Sequence, residues 1–237
     1  MSKLLQRWPS VCEVCARWPS APLCTGCHQA HAGLRPRCPG CALPLAPGLQ
    51  RCVRCTEAPL SALARCDARV GYHYPWDGLV ARFKFQAEPA WARLFAHLMA
   101  ESAATREILQ QASLLAPVPL SPRRLHGRGY NQAWEMLRHL QPLAVQARAL
   151  PSLLLRQDDD APLHTLPRAE RQQQAARVFH PNTAASAALQ GADVVLVDDV
   201  MTTGATLQAA AQVLRDAGAR RVSAVVFART PAPGSLE

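Results

Sequence analysis

Eight of the nine cysteines in this 237-residue chain fall into four Cys-x-x-Cys pairs. The pairs are Cys12/Cys15, Cys24/Cys27, Cys38/Cys41 and Cys52/Cys55, and they limit what the first sixty residues can become. Two sulfurs three positions apart on a tight turn can hold one tetrahedral metal, and two such turns complete a four-thiolate shell. Eight thiolates therefore fill two closed structural sites, and residues 1–60 read as a double zinc-ribbon module with zinc as the cofactor of both. Gly26, Pro39 and Gly40 suit the turns. A unit this short needs a metal in place of a large apolar core. A disulfide framework belongs with exported chains, whereas Met1–Pro19 lacks the continuous apolar block of a secretory signal, so the expected location is cytoplasmic. An iron–sulfur cluster is the competing metal reading; the even spacing favours zinc. Sequential pairing (Cys12, Cys15, Cys24 and Cys27 on one metal, Cys38, Cys41, Cys52 and Cys55 on the other) closes the shorter loops. Interleaved pairing costs only slightly more loop entropy, so both stay open. His28 and His31 read as surface residues, and Cys66 reads as a buried free thiol.

Residues 61–237 change pattern to alternating strands and helices. Arg69–Tyr74, Ser113–Val118, Pro151–Arg156, Asp193–Val197 and Val222–Ala228 read as strands. Trp76–Gln86, Ala90–Glu101 and Tyr130–Leu140 read as helices, as does the segment carrying Leu207, Ala210, Ala211 and Leu214 at helical spacing. Gly218 marks the end of that last helix as a left-handed cap. Strand, helix of about 13 residues and strand make a βαβ unit, so the expected fold is α/β with a parallel-sheet core. The polar stretch 157–182 reads as a long excursion or mobile lid. No apolar run is long enough to span a membrane.

The formal charge of +9 suits an acidic partner such as nucleic acid. Nearly all of it is arginine, since Lys3 and Lys84 are the only lysines. In the cysteine-rich module Arg7, Arg17, Arg35, Arg37, Arg51 and Arg54 outnumber Glu13 and Glu57. No basic strand with interleaved aromatics, of the kind that stacks bases, is visible.

Val194–Thr206, V-V-L-V-D-D-V-M-T-T-G-A-T, holds an apparent contradiction. Asp198 and Asp199 end a buried strand, where ligands of parallel sheets bind. The next residues, Thr202, Thr203, Gly204, Ala205 and Thr206, form a small-residue turn into a helix N-terminus, which favours an anion. Two carboxylates would repel that anion if aimed at it. They suit the same ligand if they accept hydrogen bonds from two neighbouring hydroxyls. A ribose 5-phosphate satisfies both demands, and Mg2+ on a further phosphate group would balance the charge. A Walker B strand also ends in paired acids, but the chain contains no G-x-x-x-x-G-K-[ST] loop.

This segment resembles the phosphoribosyl pyrophosphate (PRPP) motif of type I phosphoribosyltransferases. With the four cysteine pairs ahead of it, the chain is similar to the ComF/GntX family of competence-associated proteins. Three more stretches carry the resemblance: Leu115–Leu120 followed by Arg123-Arg124 and Arg128-Gly129-Tyr130-Asn131-Gln132, Phe83-Lys84-Phe85, and Arg171 with Phe179. Gln174 and Leu163 depart from the family pattern. The resemblance implies a type I phosphoribosyltransferase-like domain over residues 61–237. It places Asp198, Asp199, Thr202, Thr203, Gly204, Ala205 and Thr206 on the ribose and its 5-phosphate. Pro119, in the loop Pro117–Leu120, would lie by the pyrophosphate, and Lys84 and Arg128, with Arg123, would neutralise it. Asp198 and Asp199 are the catalytic candidates if there is turnover. The implied ligand is PRPP with Mg2+ or a nucleotide, and the implied partners are single-stranded DNA and a competence helicase, in natural transformation or the handling of single-stranded DNA. A nucleobase phosphoribosyltransferase of salvage and a non-catalytic PRPP- or nucleotide-sensing adaptor are the alternatives, and no residue stands out as a base reader.

Overall fold

The computed structural model describes residues 10–158 and 178–232. Two short helices, α1 (Thr25–His31) and α2 (Val53–Glu57), each begin inside a cysteine pair of the N-terminal segment. Strand β1 (Cys66–Gly71) leads to α3 (Trp76–Phe85), α4 (Trp91–Glu101) and α5 (Ala103–Gln110). Then come β2 (Leu114–Pro117), α6 (Pro122–Arg128), α7 (Gln132–Leu140), β3 (Arg148–Ala149) and β4 (Leu154–Arg156). After the undescribed stretch the chain continues as β5 (Phe179–Pro181), α8 (Ser186–Leu189), β6 (Asp193–Met201), α9 (Ala205–Asp216) and β7 (Arg221–Arg229).

Five strands form one parallel sheet in the order β1-β7-β6-β2-β3. The two central strands β6 and β7 are mostly apolar because helices and the N-terminal segment cover both faces. Alternation along β6 divides the core: Val194 and Leu196 join one apolar cluster and Val195 and Val197 the other. The first face carries α9, through Leu207, Ala210, Ala211 and Leu214. The second carries α3, α4, α5 and α7, with Phe95 stacked on Phe227 at 4.0 Å between ring centroids. Each face also receives one half of the N-terminal segment. Cys38, Cys41, Ala42, Leu43 and Cys55 pack into the first cluster, and Cys12, Leu23, Cys27 and Ala32 into the second.

Four expectations change in detail. β6 does not stop at Val197; it runs through both aspartates to Met201. Pro151–Arg156 shortens to β4, which pairs antiparallel with β5 outside the main sheet. The ends of the expected lid are therefore tied: Gln157 N–H donates to the Val178 carbonyl at 2.9 Å. Residues 159–177 lie outside the described residues. The third difference is α6, which stands where the basic stretch Arg123–Arg124 gave no apolar period. The helix buries none of its side chains and is started by Pro122 in its first turn and ended by Gly129 at φ 82°, so proline and glycine define it instead of hydrophobicity. The fourth is α5, separated from α4 by Ser102, whose backbone is extended and whose hydroxyl accepts from the Thr105 N–H.

At the start of β6, Asp193 accepts from Arg220 Nε at 2.9 Å and Arg221 Nη2 at 2.7 Å. Those guanidinium hydrogen bonds, first Arg221 and then Arg220, hold its carboxyl down at about 2. A depressed carboxyl stabilises the fold above the pKa it has in the unfolded chain. Its share is lost as pH falls through the folded value, so acid should remove it between about pH 4 and pH 2. Both arginines are half exposed, and screening reduces the share to about 1 kcal/mol. Urea denaturation of Asp193→Asn and the parent protein at pH 6 and pH 2.5 checks this: the stability gap should narrow at the lower pH.

Candidate functional site

The cysteines are brought together in sequence order. Cys12, Cys15, Cys24 and Cys27 form one cluster and Cys38, Cys41, Cys52 and Cys55 the other, with all sulfurs of a cluster within 4.8 Å of one another. Sequential pairing thus holds over interleaved. A tetrahedral zinc with bonds of about 2.3 Å separates its sulfurs by about 3.8 Å. The Cys15–Cys24 and Cys41–Cys52 separations are 3.7 and 3.5 Å. Backbone N–H groups aim at the sulfurs, Cys24 N at Cys12 Sγ (3.4 Å) and Cys52 N at Cys38 Sγ (3.5 Å). Against the desolvation of burial, these and neighbouring N–H groups hold the Cys12 thiol down at about 6 and Cys38 at about 7. Burial and the adjacent sulfurs push Cys27 up to about 12 and Cys41 to about 11. Four thiolates crowded together thus need a cation to ionise as a set. The donor set fits two structural zinc ions. Gly40 belongs to the fit, since a Cβ there would stand 3.0 Å from Cys55 Sγ.

His28 is not a free surface residue. Its Nε2 lies 2.9 Å from Glu101 at the end of α4, a carboxylate that also pairs with the buried Arg69. The His31 carbonyl accepts from Trp76 Nε1 at 2.9 Å. Cys66 is buried at the head of β1, its thiol raised by desolvation.

The expected ligand residues gather at the carboxyl end of the sheet. Asp199 is 2% exposed. Its Oδ1 pairs with Lys84 Nζ at 3.0 Å, and its Oδ2 is buried without a hydrogen-bond partner among the described residues. Asp198 Oδ1 accepts from the Asp199 N–H at 2.9 Å. Desolvation, and then the charge of Asp199, push the Asp198 carboxyl up to about 7. Thr202 and Thr203 are exposed; Gly204, at φ 87°, caps α9, and Ala205 and Thr206 begin it. Pro119 follows β2 next door, where Val118 N–H donates to the Val197 carbonyl at 2.9 Å.

Lys84 and Arg128 line one cavity of about 520 Å³ with Phe85, Ala87, Arg124 and Gly127. Arg128 donates to Gln132 Oε1 and lies over the Phe85 ring, 5.4 Å from its centroid. Phe85 itself is exposed. Arg123 is not among the residues lining the cavity, and its backbone N–H donates to Asp158 Oδ1 at 3.2 Å. Asn131 caps α7, accepting from Ala133 and Trp134, and its Nδ2 donates to the Val118 carbonyl at 3.0 Å. That bond ties the Pro119 loop to α7.

Two residues next to this site carry no sequence signal. Arg229 ends β7 and is 1% exposed, and Arg54 lies between the cysteines of the fourth pair. Both donate to carbonyl oxygens of the Thr202–Thr206 turn.

A family model for the phosphoribosyl transferase domain matches residues 135–236. The C-terminal part of the chain, with its parallel sheet and its acid-ended β6, is therefore phosphoribosyltransferase-like. Over nearly its whole length the chain is similar to the DNA utilization protein YhgH of Escherichia coli strain CFT073. The two are 31% identical over 94% of this chain and 98% of that one. Competence protein F of Haemophilus influenzae is 29% identical over 87% and 90%. The chain belongs to this family of YhgH and competence F proteins. A solved allosteric regulatory enzyme of purine biosynthesis aligns at 19% identity and a TM-score of 0.39, over 62% of this chain and 29% of its own. That likeness is too loose to carry an argument. No described helix is long and apolar enough to cross a membrane.

Proposed function

We propose that this protein binds PRPP, or another ligand carrying a ribose 5-phosphate, together with Mg2+, and that this binding serves the uptake or handling of DNA. The observation that carries the reading is Asp199. A buried carboxylate oxygen without a partner costs about 1–3 kcal/mol or more, and a ribose hydroxyl donating to Oδ2 would relieve it. The Thr202–Thr206 turn opens α9, and its N–H groups suit the 5-phosphate. Asp198 accepts the second hydroxyl. Lys84 and Arg128, near the Pro119 loop, face the pyrophosphate side. Bound Mg2+ would supply the charge balance between pyrophosphate and the acids. The DNA assignment is supported by what the relatives' names say of them, DNA utilization and competence, and by the chain's positive charge.

Calorimetric titration of PRPP into the zinc-loaded protein, with and without Mg2+, tests the ligand. Binding should require Mg2+; a folded, metal-replete protein that binds nothing ends the proposal. The same titration across pH tests Asp198. Its ionised form accepts the hydroxyl, so complex formation lowers its pKa and affinity should rise as pH passes 7. The gain between pH 6 and pH 8 should be about tenfold beyond that of Asp198→Asn. Equal pH profiles for the two proteins would remove Asp198 from the site. For the DNA arm, affinity for single-stranded oligonucleotides should fall with added salt, as phosphate contacts require.

A further inference from the structure

The turn between β6 and α9 is held from behind by the second cysteine cluster. Arg229 donates through Nε to the carbonyl of Cys41 at 2.8 Å, and through Nη1 to the carbonyls of Met201 (3.1 Å), Thr230 (2.7 Å) and Thr202. Arg54 donates through Nη2 to the Thr203 carbonyl at 2.8 Å. Leu60, five residues past Cys55, closes the same side. A Cβ on Gly204 would stand 2.9 Å from Leu60 Cδ1 and 2.5 Å from Met201 Cε. Gln208 in the first turn of α9 adds two bonds to the segment that follows the cluster: its Oε1 accepts from Ala62 N–H at 3.2 Å, and its Nε2 donates to Ser61 Oγ at 3.1 Å.

These bonds decide the direction of N–H groups. In a trans peptide the carbonyl oxygen and the following N–H point to opposite sides of the chain. Drawing the Thr202 carbonyl to Arg229 turns the Thr203 N–H away from the cluster, and drawing the Thr203 carbonyl to Arg54 does the same for Gly204 N–H. The first cluster makes no such contact among the described residues. Its links run to the opposite face of the sheet: Glu13 to Arg82 (2.8 Å), His28 to Glu101 and His31 to Trp76.

We propose that Arg54 and Arg229 are positioning residues through which the second metal cluster, and not the first, fixes the peptide orientation of the ligand turn. The assignment rests on the turn being the phosphate site of the preceding section. The coupling itself can be read without ligand.

The test uses the full-length protein with both metals bound. In Arg54→Ala the amides of Thr203 and Gly204 should loosen, their NMR order parameters falling from about 0.85 toward about 0.6, and PRPP affinity should fall about tenfold, the scale of one lost charge-assisted hydrogen bond. Zinc content should stay at two per chain. Arg54→Lys, which keeps a donor on a long stem, should recover part of both effects. Arg82→Ala, on the first-cluster side, should leave the turn amides as rigid as in the parent protein. Unchanged turn amides in Arg54→Ala, or equal loosening from Arg82→Ala, would overturn the coupling. If the parent protein binds no PRPP, the ligand reading falls, while the order parameters still decide the coupling.

Discussion

Asp199→Asn should abolish measurable binding of Mg2+–PRPP, by at least about a hundredfold, while leaving the protein folded. The size of the effect follows from how the carboxylate is used. One oxygen answers Lys84 at 3.0 Å, and the other is buried without a hydrogen-bond partner among the described residues. An amide in the same space would keep one acceptor oxygen, but its NH2 would face either Lys84 or the incoming hydroxyl as a second donor. Lys84, half-buried, would lose the charged partner that holds its ammonium in place, and the hydroxyl would lose a charged acceptor. Each such loss at a buried charged contact is worth about 1.5–3 kcal/mol, and two together exceed a hundredfold. Stability should fall far less, because the apolar residues Val194–Val197 that hold β6 are untouched. Calorimetry and a thermal melt on the same sample separate the outcomes. Binding within fivefold of the parent would remove Asp199 from the ligand site.

Stripping both metals should cost more than any substitution in the sheet. Structural zinc in four-ligand sites contributes about 10–16 kcal/mol of apparent binding free energy at neutral pH, as much as a whole domain's net stability. The sulfurs also belong to the core: Cys38 and Cys41 are at most 1% exposed and pack with β1, β6 and α9, while Cys12 and Cys27 pack with the other face. Removing the ions would leave like-charged or protonated thiols crowded inside both apolar clusters. Chelation should therefore lower the melting temperature by tens of degrees and broaden the transition, and added zinc should restore it. Metal analysis should find two zinc per chain, with no visible absorption of the kind iron–sulfur clusters give. An unchanged melt after complete metal removal would make the clusters incidental to the fold.

What the residues themselves disclosed follows a simple division. Features carried by contiguous segments were legible: the acid pair, the turn and the helix behind it all lie within Val194–Asp216, and the four cysteine pairs each lie within four positions. Lys84 was legible as a site candidate only through a resemblance, and the fold then set it 3.0 Å from Asp199, more than a hundred positions away. The cysteine pairing stayed open because loop entropy hardly distinguishes the two arrangements; packing against two faces of one sheet does. Helix α6 escaped because periodicity detects buried faces and it has none. Arg229 and Arg54 escaped because their roles are made by distant carbonyls. His28 does lie at the surface, outside both cysteine clusters, but its pairing with Glu101 was hidden because that carboxylate comes from seventy-three residues away.

The placement of the two clusters bears on how such a chain can be cut. Strand β1 is the rim of the sheet, and the cysteine-bearing halves stand on either side of it, with the Pro39 carbonyl taking the Cys66 N–H at 2.7 Å. The arrangement is that of a bracket gripping the margin of a plate, and a bracket cannot be lifted off without baring both surfaces. Residues 61–237 produced alone would bare the apolar parts of both faces that the cysteine-bearing halves cover, and would free the Cys66 N–H at the rim to recruit another chain. The N-terminal segment is therefore less an appendage to a nucleotide-type fold than its missing wall. A truncation meant to dissect the two would measure self-association instead.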